Sequence, residues 1–141
     1  MDAGGTTALD RRQTYLIQDP HDLDAIEFIR VIDLRYGLRP ICLYTDPKMR
    51  FYGEHEHPIL RSSAIEASFD VDPSDLRPAV DHIAARWDVL GVVPFREETV
   101  EMAADLCDLL GLDWNEPTVL RRFRDKFEMR RHVREVAPHV R

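Results

Sequence analysis

Thr14-Tyr15-Leu16-Ile17-Gln18-Asp19-Pro20-His21-Asp22 is a short β-branched and aromatic run closed by an Asp-Pro stop and a polar turn. It reads as a buried first strand, since such side chains fit a pleated surface and proline ends a ladder. His21-Asp22 open a segment whose apolar residues Leu23, Ile26, Ile29, Ile32 and Tyr36 stand close to helical spacing. Asp22 is placed to cap that helix, and Gly37 fits the left-handed position just past its end. Pro40-Ile41-Cys42-Leu43-Tyr44-Thr45 is then a second strand, stopped by Asp46-Pro47. Strand, helix and strand within about thirty residues form one βαβ unit, which implies a parallel pair.

The alternation continues downstream. From Asp46 to Ser63 the pattern dissolves into what reads as a polar loop, and a short third strand is expected around Ala67-Ser68-Phe69. Asp72-Pro73-Ser74-Asp75 resembles a helix start, followed at helical spacing by Leu76, Val80, Ile83 and Ala84, with Trp87 closing the helix. Val89-Leu90-Gly91-Val92-Val93-Pro94-Phe95 is apolar throughout, which predicts a fourth strand buried on both faces and central in the sheet. Val100, Ala103, Ala104, Cys107 and Leu110 mark the cleanest amphipathic helix, ended by Gly111. Basic C-terminal helices follow from Asn115-Glu116-Pro117, with Leu120, Phe123, Phe127, Val133 and Val136 as expected core contacts. The fold class is therefore α/β: a small open parallel sheet with helices on both faces. The expected division is a leader over residues 1–12, an α/β domain over 13–116 and a helical linker over 117–141.

At 141 residues, with 44% hydrophobic and 32% charged side chains, the chain has the size and composition of one globular domain. The net charge is −7, but residues 117–141 hold eight Lys/Arg against three Asp/Glu, a local +5 that leaves −12 for the remainder. The acidic balance argues against a general nucleic-acid binder, and the basic tail interleaves its charges with core-spaced apolar residues, as in a helix packed on its own domain. No apolar run is long enough to span a bilayer and none near Met1 reads as a signal peptide, so neither a membrane partner nor export is expected. Cys42 and Cys107 lie in apolar patterns without CxxC spacing, which reads as two buried, reduced thiols and a cytoplasmic chain.

Open parallel sheets bind ligands at the carboxyl ends of their strands. Those ends are Gln18-Asp19-Pro20-His21-Asp22, Thr45-Asp46-Pro47-Lys48 and Phe95-Arg96-Glu97-Glu98. The first lacks glycine, so it encodes neither a GxGxxG fingerprint nor a Walker A loop. Arg96, Glu97 and Glu98 are candidate substrate contacts, although carboxylates at a helix start also serve the helix dipole alone. Glu54-His55-Glu56-His57 offers four metal-ligating side chains in a row, but neighbours in sequence seldom converge on one ion, and no metal site is assigned. Asp125 and Glu128 have capping-box spacing, which starts a helix at Asp125 and puts Lys126 in its first turn. A cation there opposes the helix dipole and suits an anionic partner, while a solvated basic face accounts for the same residues.

The chain from Val89 onward resembles the N-terminal, pre-ATP-grasp domain of ATP-grasp ligases. Two pieces carry the likeness: Gly91-Val92-Val93-Pro94-Phe95-Arg96-Glu97-Glu98-Thr99-Val100 through Leu109-Leu110-Gly111-Leu112, and Arg124-Asp125-Lys126-Phe127-Glu128-Met129-Arg130. The resemblance implies a Rossmann-like domain in which Lys126 reaches ATP phosphates and the turn bearing Arg96, Glu97 and Glu98 lies near the substrate. It implies ATP and Mg as cofactors of a complete enzyme that activates a carboxylate as an acyl phosphate for attack by an amine. The chain departs from the family at Gly111-Leu112-Asp113-Trp114, where many relatives read Gly-Leu-Pro-Gly. The implied partners are the remaining ATP-grasp domains or a catalytic subunit, and a small carboxylate or amine substrate, with no ligase activity expected of this domain alone. A stand-alone α/β interaction or small-ligand module is the alternative from a different class.

Overall fold

A computed structural model of the chain describes residues 11–114 and 125–139. Four strands form one parallel sheet: β1 (Arg12–Gln18), β2 (Ile41–Tyr44), β3 (Ala67–Asp70) and β4 (Trp87–Val93), in the order β3-β2-β1-β4. Five α-helices are present among the described residues: α1 (Leu23–Tyr36), α2 (Pro47–Glu56), α3 (Arg77–Ala84), α4 (Val100–Leu110) and α5 (Lys126–Val136). The expected α/β class, with a parallel sheet covered on both faces, is the observed one. The expected leader, the 116/117 boundary, Leu120 and Phe123 lie outside the described residues, except that β1 already begins at Arg12.

Alternation along β1 sends its side chains into two cores. Leu16 joins Ile41 and Leu43 against Val80 and Ile83 of α3 and Ala103, Leu106 and Cys107 of α4. On the other face Ile17, Cys42 and Tyr44 pack on Ile26 and Ile29 of α1 and on Leu60 of a short 3-10 turn, Pro58–Arg61. An edge-on aromatic series, Tyr15–Phe28–Phe95, extends this second core. Asp22 caps α1 by accepting from the Ala25 amide at 2.9 Å, and Gly37 and Gly111 end α1 and α4 at φ 62° and 69°. A Cβ at either glycine would meet nothing within 4 Å, so only the left-handed backbone demands glycine there.

Several expectations are corrected. Residues 46–63 do not form a loop: Asp46 caps α2 through the Lys48 amide at 2.9 Å and Pro47 occupies the first turn, a start signal overlooked because few apolar residues follow it. Asp72 caps a tight turn, accepting from both the amide and hydroxyl of Ser74, and α3 starts only at Arg77. Trp87 opens β4 rather than closing α3.

Among the described residues β4 is an edge strand, not a central one. Its register on β1 jumps from Thr14↔Val89 to Tyr15↔Gly91, so Leu90 is an extra, bulged residue and is 39% exposed. The bulge resets the alternation, and Val89 and Val92, three apart, share one core. The continuous apolar run thus records a bulge and not two buried faces. On α1, three-residue steps fall short of a full turn by about 60° each, which carries Leu23 off the stripe. Leu23 is 76% exposed, and Tyr36, in the last turn, is also exposed. α5 buries no residue, so Phe127, Val133 and Val136 are not core contacts among the described residues.

Gly37→Ala and Gly111→Ala are each expected to cost about 1 kcal/mol in urea denaturation, the ordinary penalty of a Cβ in the left-handed region. Asn at either position should cost less. Burial pushes the Cys42 thiol up from 9.0 to about 12 and also raises Cys107. Both thiols should therefore resist iodoacetamide at pH 8 until the chain unfolds. The unfolded thiol ionises from about pH 9 and the folded Cys42 only near 12, so its contribution is intact below pH 9 and lost between 9 and 12. The alkaline fall in stability should be shallower in Cys42→Ala.

Candidate functional site

The strand order reverses beside β1: β2 and β3 extend to one side of it and β4 to the other. A cleft of about 410 Å³ opens over the carboxyl ends of the strands, lined by residues that include Asp19, Thr45, Asp46, Arg96, Glu98 and Met102. This is the crevice where an open parallel sheet places its ligands.

Asp19 is the anchor of the cleft. Its backbone adopts φ 43°, the only positive φ among the described non-glycine residues, and its side chain is buried. One carboxylate oxygen accepts from the Thr45 amide at 2.8 Å and the other from the Thr45 hydroxyl at 2.7 Å. Its own amide donates to the Leu43 carbonyl at 2.8 Å. The carbonyl of Asp19 accepts from Nδ1 of His21 at 2.9 Å, which places a ring proton on that nitrogen. These bonds tie the ends of β1 and β2 together and offset the cost of the left-handed backbone, about 1–2 kcal/mol. Gly53 lets α2 close over the same turn: a Cβ there would lie 3.2 Å from the Pro20 carbonyl oxygen.

The opposite wall is the turn after β4. The Arg96 carbonyl accepts from the Thr99 amide at 3.0 Å and the Thr99 hydroxyl at 2.7 Å, which fixes the short 3-10 turn Glu97–Thr99 ahead of α4. Arg96 is half-buried and ion-paired with Glu98 across the mouth of the cleft. The lining thus holds one guanidinium and three carboxylates, those of Asp19, Asp46 and Glu98. Both lining hydroxyls, of Thr45 and Thr99, donate to fixed acceptors. The arrangement holds a polar ligand with charges of both signs and offers no activated nucleophile.

Of the residues singled out in the sequence, Arg96 and Glu98 come together in this cleft. Glu97 is exposed on the same turn but is not in the lining. Lys126 sits in the first turn of α5, where Asp125 accepts from the amides of Phe127 and Glu128 at 2.9 and 3.1 Å, and is likewise outside the cleft lining. Glu54 of the Glu54-His55-Glu56-His57 run binds Arg50 at 2.9 Å, and no three metal-ligating side chains converge among the described residues. No described helix is long and apolar enough to cross a membrane.

Residues that sequence reasoning did not single out include Asp19, Thr45 and Gln18. Gln18, beside Asp19 at the end of β1, is fully buried, and neither its amide nitrogen nor its amide oxygen has a hydrogen-bond partner among the described residues. An unpaired buried amide costs about 1–3 kcal/mol. The one available signal was a glutamine ending a β-branched strand, too common a feature to single out.

No family model matches the chain, and no curated protein matches it in sequence. Its fold is similar to that of an L-amino acid ligase from Bacillus licheniformis, with a TM-score of 0.64 and 18% identity over 89% of this chain. The chain spans about 30% of the length of that structure.

Replacing Gln18 by Leu should raise stability by about 1–3 kcal/mol, because it removes two unpaired polar atoms at similar volume. Asp19→Ala should be destabilising by about 2–3 kcal/mol, and Asp19→Gly by about 1 kcal/mol less, the difference measuring the left-handed backbone. Chemical denaturation of the three variants checks both expectations.

Proposed function

We propose that this chain is the substrate-side domain of an ATP-grasp ligase, in which a carboxylate is activated by ATP and captured by an amine. The observation that carries the reading is a fold shared with an L-amino acid ligase along 89% of this chain and about 30% of that one. The Arg124-Asp125-Lys126-Phe127-Glu128-Met129-Arg130 stretch supports it independently, with its capped helix start in place from Asp125 onward.

The lining of the cleft suits an α-amino acid. The Arg96 guanidinium offers a planar fork to a carboxylate, and Asp19, Asp46 and Glu98 surround it with acceptors for an ammonium group. Binding there would bring the ligand's carboxylate to Arg96, which is ion-paired with Glu98 at the mouth of the cleft. Glu97 stands on the same turn as a further acceptor at the rim.

ATP chemistry is consistent with α5 only in part. Lys126 is exposed in its first turn, and Arg130 follows one turn later, a cationic edge suited to a polyphosphate. When bound, ATP with its metal would supply the phosphoryl group that activates the carboxylate. The described residues assemble no magnesium site, so the metal would be held by the remaining ligase domains, which are the proposed partners. The role of this chain is to bind and orient the substrate and to present a cation to the nucleotide.

Calorimetric titration of the chain with L-amino acids is expected to show saturable binding that weakens at least about tenfold in Arg96→Ala, a loss typical of a charge-assisted pair. Mixed with the catalytic remainder of such a ligase, the chain should support amino-acid-dependent ATP hydrolysis, reduced in Lys126→Ala. Ligand binding with no such complementation would favour a stand-alone binding module, and ligation by the isolated chain would overturn the proposed division of labour.

A further inference from the structure

A second and larger cleft, about 700 Å³, lies at the opposite, amino end of the sheet, and its lining includes Arg11, Arg12, Arg39, Glu66 and Asp88. The two clefts are separated by the length of β1, roughly 20 Å at 3.3 Å per residue. Three guanidiniums thus face one cavity in a chain whose net charge is −7.

These arginines differ in how far they are already satisfied. Arg12 binds the Glu66 carboxylate, at 3.0 and 3.2 Å from its two oxygens, and Trp87 donates to the same carboxylate at 3.1 Å. Glu66 is therefore held by two donors. Arg11 donates to the Ala84 carbonyl at 2.7 Å, which places it at the end of α3, and its other donors have no partner among the described residues. Arg39 makes no side-chain hydrogen bond or ion pair among the described residues. Its backbone is nonetheless fixed, because the buried Thr14 hydroxyl donates to its carbonyl at 2.8 Å. Arg39 thus stands on a fixed backbone, on a short turn between Gly37 and the start of β2, with an exposed guanidinium that has no partner among the described residues and shares the cleft lining with Arg11.

The geometry points to a binding site for a small organic polyanion, such as a phosphomonoester or a di- or tricarboxylate, held between Arg39 and Arg11. Guanidinium forks bind oxyanions in pairs of parallel bonds, and the cavity is larger than a single inorganic ion needs. Asp88, exposed in the same lining and without a partner among the described residues, is an acceptor that a ligand bearing a hydroxyl or amine would use. The site stands apart from the carboxyl-end cleft and does not depend on the function proposed for that cleft.

The test titrates the full chain with pyrophosphate and with citrate, by calorimetry and thermal shift, against sodium chloride at matched ionic strength. Saturable binding of at least one probe is expected, weakened about tenfold or more in both Arg39→Gln and Arg11→Gln and unchanged in Arg35→Gln. Arg39 lends the fold only its carbonyl, which the glutamine variant keeps, so that variant should melt at the wild-type temperature without ligand. Absence of saturable binding overturns the proposal, as does binding that Arg39→Gln leaves intact. Binding abolished by Arg96→Ala but not by Arg39→Gln would assign the anion to the carboxyl-end cleft and also overturn it.

Discussion

The position of β1 between β2 and β4 is the constraint on which the rest of the structure depends. Its Thr14, Leu16, Ile17 and Gln18 have no exposed surface, and among the described strands it shares with β2 the place in the middle of the sheet, where it alone joins β4 to the rest. Each neighbour is reached through a helical crossover, so parallel pairing forces all four strands to end on the same side. The ends of β1 and β2 are then stitched together by the Asp19 carboxylate, and the turn after β4 closes the opposite wall. Strand direction, more than any single side chain, decides that Asp19, Thr45, Arg96 and Glu98 share one cleft.

The sequence made the βαβ core legible because two signals agreed there: β-branched runs ended by Asp-Pro, and a capped helix ended by Gly37. The same agreement located α4 and its end at Gly111. Reading failed where a local rule was met without its usual partner. α2 has a capping Asp46 and Pro47 but little apolar periodicity, since it packs through Gly53 and the half-buried ring of residues around Arg50. That arginine, lying 5.0 Å from the Tyr44 ring centre and paired with Glu54 and Asp70, replaces a hydrophobic stripe with a polar anchor. The strand-end turns were legible as segments, and Arg96 and Glu98 as candidates within one of them. Asp19 was not, because its left-handed backbone and its grip on Thr45 depend on a residue 26 positions away.

The molecule is polar along its strands. At the carboxyl end acids outnumber the one arginine, whereas at the amino end three arginines face Glu66 and Asp88. Both ends rest on the same rigid strand, yet they would attract ligands of different charge. The basic helix α5 adds a third surface, with Phe127 standing 74% exposed among Arg130, Arg131 and Arg134.

The bulge at Leu90 bears on what the sheet does not do. A parallel sheet with two open sides presents unpaired amides and carbonyls that another strand can extend. On one side β3 is only four residues long, and Arg50 reaches its final residue, Asp70, at 3.0 Å. On the other, β4 is seven residues long and rich in valine, the more hazardous template for uncontrolled strand addition. The extra residue breaks its even spacing and sharpens its twist, so a flat incoming strand finds no matching ladder. The irregularity that obscured β4 in the sequence is thus also the kind of feature that blunts an edge against strand addition.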